Sequence, residues 1–258
     1  MNRLSHPFIS NAWDGFSRLS LLIVALALFS GCAWLVKPPA SDPAALEQLE
    51  RWSAQNRHLT RLKGIMHVKM HIGQERFNSR MAWASVMPDR LRIEWLSTLG
   101  QPVYSMAADG RTVYVNQAGE EKVHCFKQSG ASLQRLIKIP LAIEDLLQII
   151  LGQPPLPDFE AAQLHGQGCS VVLKNRWDSP LAVLTADPCD QLRQFRRLHA
   201  DGTLSYEVTW ISHRENQQHS LPEKITVTTG DGNDLTLALQ RVWTDIAIPA
   251  DMFVLQSK

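Results

Sequence analysis

Two periods of apolar residues divide the chain. From Ala44 to about Arg57 they recur at helical spacing, with Leu46, Leu49, Trp52 and Ser53 on one side and Glu47, Gln48 and Glu50 outside it. Asp42 or Ser41 suits the cap of that helix, and Pro43 suits its first turn. From Leu62 the period falls to two. Met66, Val68, Met70 and Ile72 alternate with His67, Lys69 and His71, and Gly73-Gln74 turns the chain. Met81 and Trp83 continue on the returning strand. After Pro88-Asp89, Leu91, Ile93 and Trp95 alternate with Arg90, Arg92 and Glu94. Gly100-Gln101-Pro102 breaks that strand, Val103–Ala108 runs back to an Asp109-Gly110 turn, and Thr112–Asn116 and Lys122–Phe126 follow. The pattern predicts a meander of six or so antiparallel strands with no helix between them.

Helical spacing returns at Ser132–Ile137 and Ile143–Leu151, on either side of Pro140. The second segment is strongly apolar; Gly152 suits its C-terminal stop and Pro154-Pro155 prevents its continuation. Strands resume at Cys169: Ser170–Leu173, Leu181–Ala186, Leu192–His199, Leu204–Ser212, Lys224–Thr228 and Leu235–Val242, with turns at Asp201-Gly202 and Gly230-Asp231-Gly232-Asn233. The expected fold is mainly β with some α: one antiparallel sheet of about eleven strands, an N-terminal helix and a helical insertion.

Ahead of this domain, Arg3 and Arg18 precede the apolar run Leu21–Phe29, followed by Ser30, Gly31 and Cys32. Basic, apolar and small residues in that order make a secretory signal. The run is short for a membrane span, which needs roughly 20 apolar residues. Leu28-Phe29-Ser30-Gly31-Cys32 resembles a lipoprotein cleavage box, so residues 1–31 are expected to be a signal peptide and Cys32 the lipid-bearing first residue. An uncleaved signal anchor with an incidental cysteine is the alternative. Residues 32–43, with Pro38, Pro39 and Pro43, read as a lipidated N-terminus and short extended tether, leaving 44–258 as one domain.

Charge narrows the partners. The chain has 26 Lys and Arg against 25 Asp and Glu, and loss of Arg3, Arg18 and Asp14 with the signal leaves the two signs equal. No basic stripe stands out, which argues against nucleic acid and anionic headgroups as partners. Cys169 and Cys189 flank a candidate hairpin and could pair; buried thiols are the alternative. No G-x-S-x-G, H-E-x-x-H, Walker loop or G-x-G-x-x-G is present. His67 and His71 point the same way ~13 Å apart along a strand, too far to share a metal unaided. Asp187-Pro188-Cys189-Asp190 reads as a turn, and Gly230–Asp234 lacks the later bidentate Glu of a calcium loop. No catalytic residue, metal ligand or cofactor is assigned, and the sequence argues for binding rather than reaction.

A strongly curved antiparallel sheet has a concave face that can enclose a cavity. The residues expected to face it are Met66, Met70, Met81, Trp83, Leu91, Ile93 and Trp95, with Leu146, Ile149 and Ile150 offered by the insertion as a lid. Adaptable methionines suit flexible acyl chains. The same residues would equally fill an ordinary core.

Two segments add a resemblance. Leu96-Ser97-Thr98-Leu99-Gly100-Gln101-Pro102 joins two strands, and Leu136-Ile137-Lys138-Ile139-Pro140-Leu141 leads to Leu146-Leu147-Gln148-Ile149-Ile150-Leu151-Gly152-Gln153-Pro154 about forty residues later. With the preceding Trp52 and Leu62-Lys63-Gly64, their order and spacing resemble the LolA/LolB superfamily of lipoprotein carriers, and within it LolB-like outer-membrane receptors. The likeness covers about residues 45–160; beyond it the chain matches as a run of strands ending in Ile248-Pro249 and Phe253-Val254-Leu255. The resemblance implies an unclosed β-barrel capped by helices and a cavity for the acyl chains of lipoproteins or other lipids. It further implies a protruding loop whose exposed leucine, here Leu99, helps insert cargo into the membrane. It would make the chain a monomeric, non-enzymatic lipoprotein, palmitate-bearing at Cys32 and facing the periplasm from the outer membrane, to which Ala33 also points. A periplasmic LolA-like carrier would be its donor. A structural or assembly lipoprotein, its core filled and its surface docked on an envelope protein, is the competing expectation.

Overall fold

The computed structural model describes residues 39–129, 133–166, 169–188, 190–215 and 220–256. Helix α1 (Pro43–Ala54) comes first, capped by Asp42, whose Oδ1 accepts from the Ala44 N–H at 3.0 Å. Its buried face is Ala45, Gln48, Leu49 and Trp52, while Leu46 is 42% exposed. This corrects the face expected from sequence. Trp52 and Leu49 set the stripe, and on a 100° wheel the small Ala45, not Leu46, lies in line with them.

Six strands follow: β1 (Arg61–Ile72), β2 (Glu75–Val86), β3 (Arg90–Leu96), β4 (Pro102–Asp109), β5 (Thr112–Gln117) and β6 (His124–Lys127). Helices α2 (Gln134–Ile137) and α3 (Ile143–Ile150) interrupt them. Then come β7 (Ala161–His165), β8 (Ser170–Lys174), β9 (Pro180–Ala186), β10 (Leu192–Leu198), β11 (Leu204–Glu215), β12 (Ser220–Thr229) and β13 (Asp234–Thr244), and a short 3₁₀ turn at Ala250–Phe253. The thirteen strands form one open sheet in the order β6-β5-β4-β3-β2-β1-β13-β12-β11-β10-β9-β8-β7. Every recorded neighbour pair is antiparallel. The expected fold class is therefore the observed one, with more strands than the eleven or so anticipated. One strand that the sequence hid is β7, whose Ala161-Ala162 start offers none of the β-branched or aromatic residues that mark a strand.

Two meanders, β1–β6 and β7–β13, meet where β1 pairs with β13. The register runs from Leu62 opposite Thr244 to His71 opposite Asp234, with a bulge at Ile65/Met66. Leu62, Gly64, Met66, Val68 and Met70 of β1 face inward and are buried. They join Leu235, Leu237 and Leu239 of β13 in the core beneath α2 and α3.

Asn56, at φ +54 after α1, ties the helices to the sheet. Its Nδ2 donates to the carbonyls of Leu151 (2.9 Å) and Ser220 (2.8 Å). Trp210 Nε1 of β11 donates to Ile149 O at 2.9 Å, fixing the end of α3 over the second meander. Gly152, at φ +78, takes the chain out of α3, as its place before Pro154 predicts.

Candidate functional site

A small, wholly apolar cavity lies between the sheet and its helices. Its floor is Met66, Val68 and Met70 of β1, Met81 of β2, Ile93 and Trp95 of β3, Met106 of β4, and Leu235 and Leu237 of β13. Leu133, Leu136, Ile137 and Leu146 form its roof. Alternation along each strand puts these residues on one face, and the central β1–β13 ladder brings the two ends of the domain together beneath them. The volume is about 40 Å³. That is room for little more than a water, against roughly 300–1,000 Å³ in sites that enclose a drug-sized ligand.

Of the residues expected to line the cavity, the structure brings together Met66, Met70, Met81, Ile93, Trp95 and Leu146. Trp83, Leu91, Ile149 and Ile150 are buried elsewhere. Leu91 sits at the start of β3 opposite Ser85 and Ala108, beyond the cavity's reach. Ile149 belongs to the end of α3 that Trp210 holds, and Ile150 follows it there. The indole of Trp83 lies against the backbone of its cross-strand partner Gly64, with Nε1 buried and unpartnered. Sequence reasoning missed Val68, Met106, Leu133, Leu136, Ile137, Leu235 and Leu237. The alternation of Leu235 and Leu237 was visible, but nothing in the sequence said that this last strand lies beside the first.

Trp95, on the cavity wall, meets Tyr104 of β4 edge to face at 5.0 Å between centroids. Burial, reinforced by Glu120, raises the Tyr104 hydroxyl above its ordinary pKa, so it stays protonated and neutral at physiological pH. Two residues beyond Trp95 begins the β3–β4 loop. Ser97 N–H donates to Gln101 O (2.8 Å), Gly100 N–H donates to Ser97 O (2.9 Å), and Ser97 Oγ accepts from Gln101 N–H (3.1 Å). Gly100 takes φ +81, which a side chain would oppose. This closed loop carries Leu99 at its apex, 87% exposed.

A larger groove, about 860 Å³, opens on the outer face of β1–β3 and β13 beside Ile246, Pro249 and Met252. Lys63, Trp243 and the half-buried Arg92–Glu94 ion pair (2.8 Å) line it with polar as well as apolar atoms. His67 and His71 lie on the outer face of β1, partly exposed. Among the described residues no group of three or more His, Cys, Asp or Glu is placed to hold a metal. Cys169 is disulfide-bonded, and Cys125 is a free, exposed thiol. Cys32 and Cys189 lie outside the described residues.

The fold has counterparts among solved structures. A DUF1329-family protein from Desulfovibrio piger superposes with a TM-score of 0.57 at 10% identity, over 84% of this chain and 98% of the other. A LolA-superfamily protein from Nitrosomonas europaea gives 0.54 at 10% identity, over 82% and 97%. A putative outer membrane lipoprotein-sorting protein domain from Vibrio parahaemolyticus gives 0.53 at 12% identity, over 81% and 95%. At these identities the likeness establishes the fold. No curated protein matches in sequence. The family described as outer membrane lipoprotein LolB matches residues 61–243, from the start of β1 almost to the end of β13. That match takes in both meanders, helices α2 and α3 and the Leu99 loop, and the chain belongs to the LolB family.

Proposed function

We propose that this chain is a non-enzymatic lipoprotein, anchored by lipid on Cys32, that receives acylated lipoproteins and helps insert them into the outer membrane from the periplasmic side. Its donor would be a LolA-like periplasmic carrier. The observation that carries the reading is the apolar space roofed by α2 and α3, one wall of which runs directly into the loop that exposes Leu99. Membership of the LolB family supports the same role.

A cavity of about 40 Å³ cannot hold an acyl chain. Binding therefore requires the segment from Leu133 to Leu146 to lift from the sheet, with methionines on the floor adapting to what enters. Burial of acyl groups at ~0.8 kcal/mol per CH₂ drives capture. Re-closure of the lid would then favour release once a bilayer is adjacent. Leu99 brings the mouth of the site to that bilayer.

The decisive experiment is titration of the protein with a fluorescent triacylated peptide, with the unacylated peptide as control. Saturable, acyl-dependent binding is expected. The small cavity volume favours one other reading, a scaffold with a filled core, and absence of acyl-dependent binding by folded protein would establish that instead. Leu99→Glu should leave acyl binding intact and slow delivery to vesicles by about tenfold or more, since a carboxylate inside a bilayer costs on the order of 2–3 kcal/mol. Equal loss of binding and delivery would remove Leu99 from the insertion step.

A further inference from the structure

Antiparallel order places the turns after β1, β3, β5, β8, β10 and β12 at one end of the sheet. Four of them have one loop geometry: Ser97–Gln101, Asn175–Ser179, His199–Thr203 and Thr229–Asn233. In each, the first N–H donates to the fifth carbonyl (2.8, 3.0, 2.9 and 2.9 Å) and the fourth N–H donates back to the first carbonyl (2.9, 3.0, 3.0 and 3.0 Å). The fourth residue has positive φ throughout: Gly100, Asp178, Gly202 and Gly232 at 81°, 65°, 82° and 79°. A side chain within each loop secures the fifth N–H: Ser97 Oγ, Asn175 Oδ1, Asp201 Oδ1 and Thr229 Oγ1.

With the backbone held constant, the third residue becomes a comparison. It is Leu99 in the first loop, Trp177 in the second, Asp201 in the third and Asp231 in the fourth. Two aspartates show that the geometry makes no demand for an apolar apex. Trp177 is nonetheless 62% exposed, with no core to serve, at the same loop position and the same end of the sheet as Leu99. The Arg176 guanidinium stacks on its ring at 4.2 Å. An indole paired with a cation matches the membrane interface, where Trp sits at headgroup level and a guanidinium meets phosphate.

We propose that Trp177, with Arg176, is a second bilayer contact that works alongside Leu99. This rests on the membrane-delivery reading above and adds the orientation of the molecule to it. In strand order the acidic apices Asp231 and Asp201 lie between the two apolar ones. Contact at Leu99 alone leaves the molecule free to pivot, whereas contacts at β3–β4 and β8–β9, on opposite arms of the sheet, hold the end between them towards the lipid.

The test uses the full chain reconstituted in vesicles of phosphatidylethanolamine and phosphatidylglycerol with brominated acyl chains, which quench only tryptophans at the bilayer. Trp177→Asp is the matched variant, because the loop already accommodates aspartate at Asp201 and Asp231; an unchanged melting temperature verifies the fold. Wild-type fluorescence should be quenched by about one tryptophan's share more than that of W177D. Equal quenching of the two proteins would overturn the proposal. It would leave the delivery reading standing, since the Leu99→Glu assay does not involve Trp177.

Discussion

Gly64 shows how one missing side chain sets the packing of the central strand. A Cβ built there would lie 2.4 Å from the Arg241 carbonyl oxygen and 2.7 Å from Trp83 Nε1. Neither neighbour can yield easily, one being backbone of β13 and the other a ring buried to 3% exposure. Gly64→Ala should therefore cost about 1–3 kcal/mol, read as a lower urea midpoint with an unchanged slope. The glycine was legible in the sequence as part of Leu62-Lys63-Gly64, but its purpose was not, because that depends on an indole nineteen residues away in the chain. Leu46 teaches the converse. Hydrophobicity placed it on the buried face, yet neighbours decided for Ala45, since a helix buries whichever residues lie over the partner.

At the scale of elements, the strands with clean alternation were readable, from Met66–Ile72 through Leu235–Val242. The apolar helix at Ile143 was equally plain, its end marked by Gly152. Strand β7 was not, because Ala161 and Ala162 fit any buried environment. The attachment of α3 rests on contacts that no local pattern records, such as Trp210 Nε1 to Ile149 O. Its first turn carries a further one. Burial holds the Asp145 carboxyl above the ordinary aspartate range, partly offset by the Ala142 N–H, reinforced by Glu144 and offset again by Arg197. A raised value means that the folded form keeps this proton more tightly than the unfolded chain. Its contribution to stability is thus complete below the ordinary aspartate pKa and is lost as pH rises through the elevated one. Asp145→Asn has no such loss. Urea unfolding across that window should show stability shifting in favour of the variant as pH rises.

For the whole molecule, the two meanders are unequal partners in the site. The first supplies most of the floor, the insertion supplies the roof, and the second meander adds Leu235 and Leu237 through β13. If the roof lifts to admit an acyl chain, hydrogen exchange at the Leu136 and Ile137 amides should change on addition of triacylated peptide while the β1–β13 ladder stays protected. Uniform protection of both would mean that the roof does not move. The first arm was legible as a meander because its strands pair with sequence neighbours. The β1–β13 contact was not, since it joins segments some 170 residues apart, and with it went Leu235 and Leu237, the part of the floor that β13 supplies.

That same ladder fixes when the site can first exist. Residues 61–72 have no inner neighbour on one side until residues 234–244 arrive to pair with them. A chain emerging from its N-terminus would build the roof and one wall early and leave them over an incomplete floor until nearly its last residues were available. On the proposed function, binding competence would therefore come as a late, single event in the life of the molecule, and a copy lacking residues 234–244 would lack the part of the floor that Leu235 and Leu237 supply.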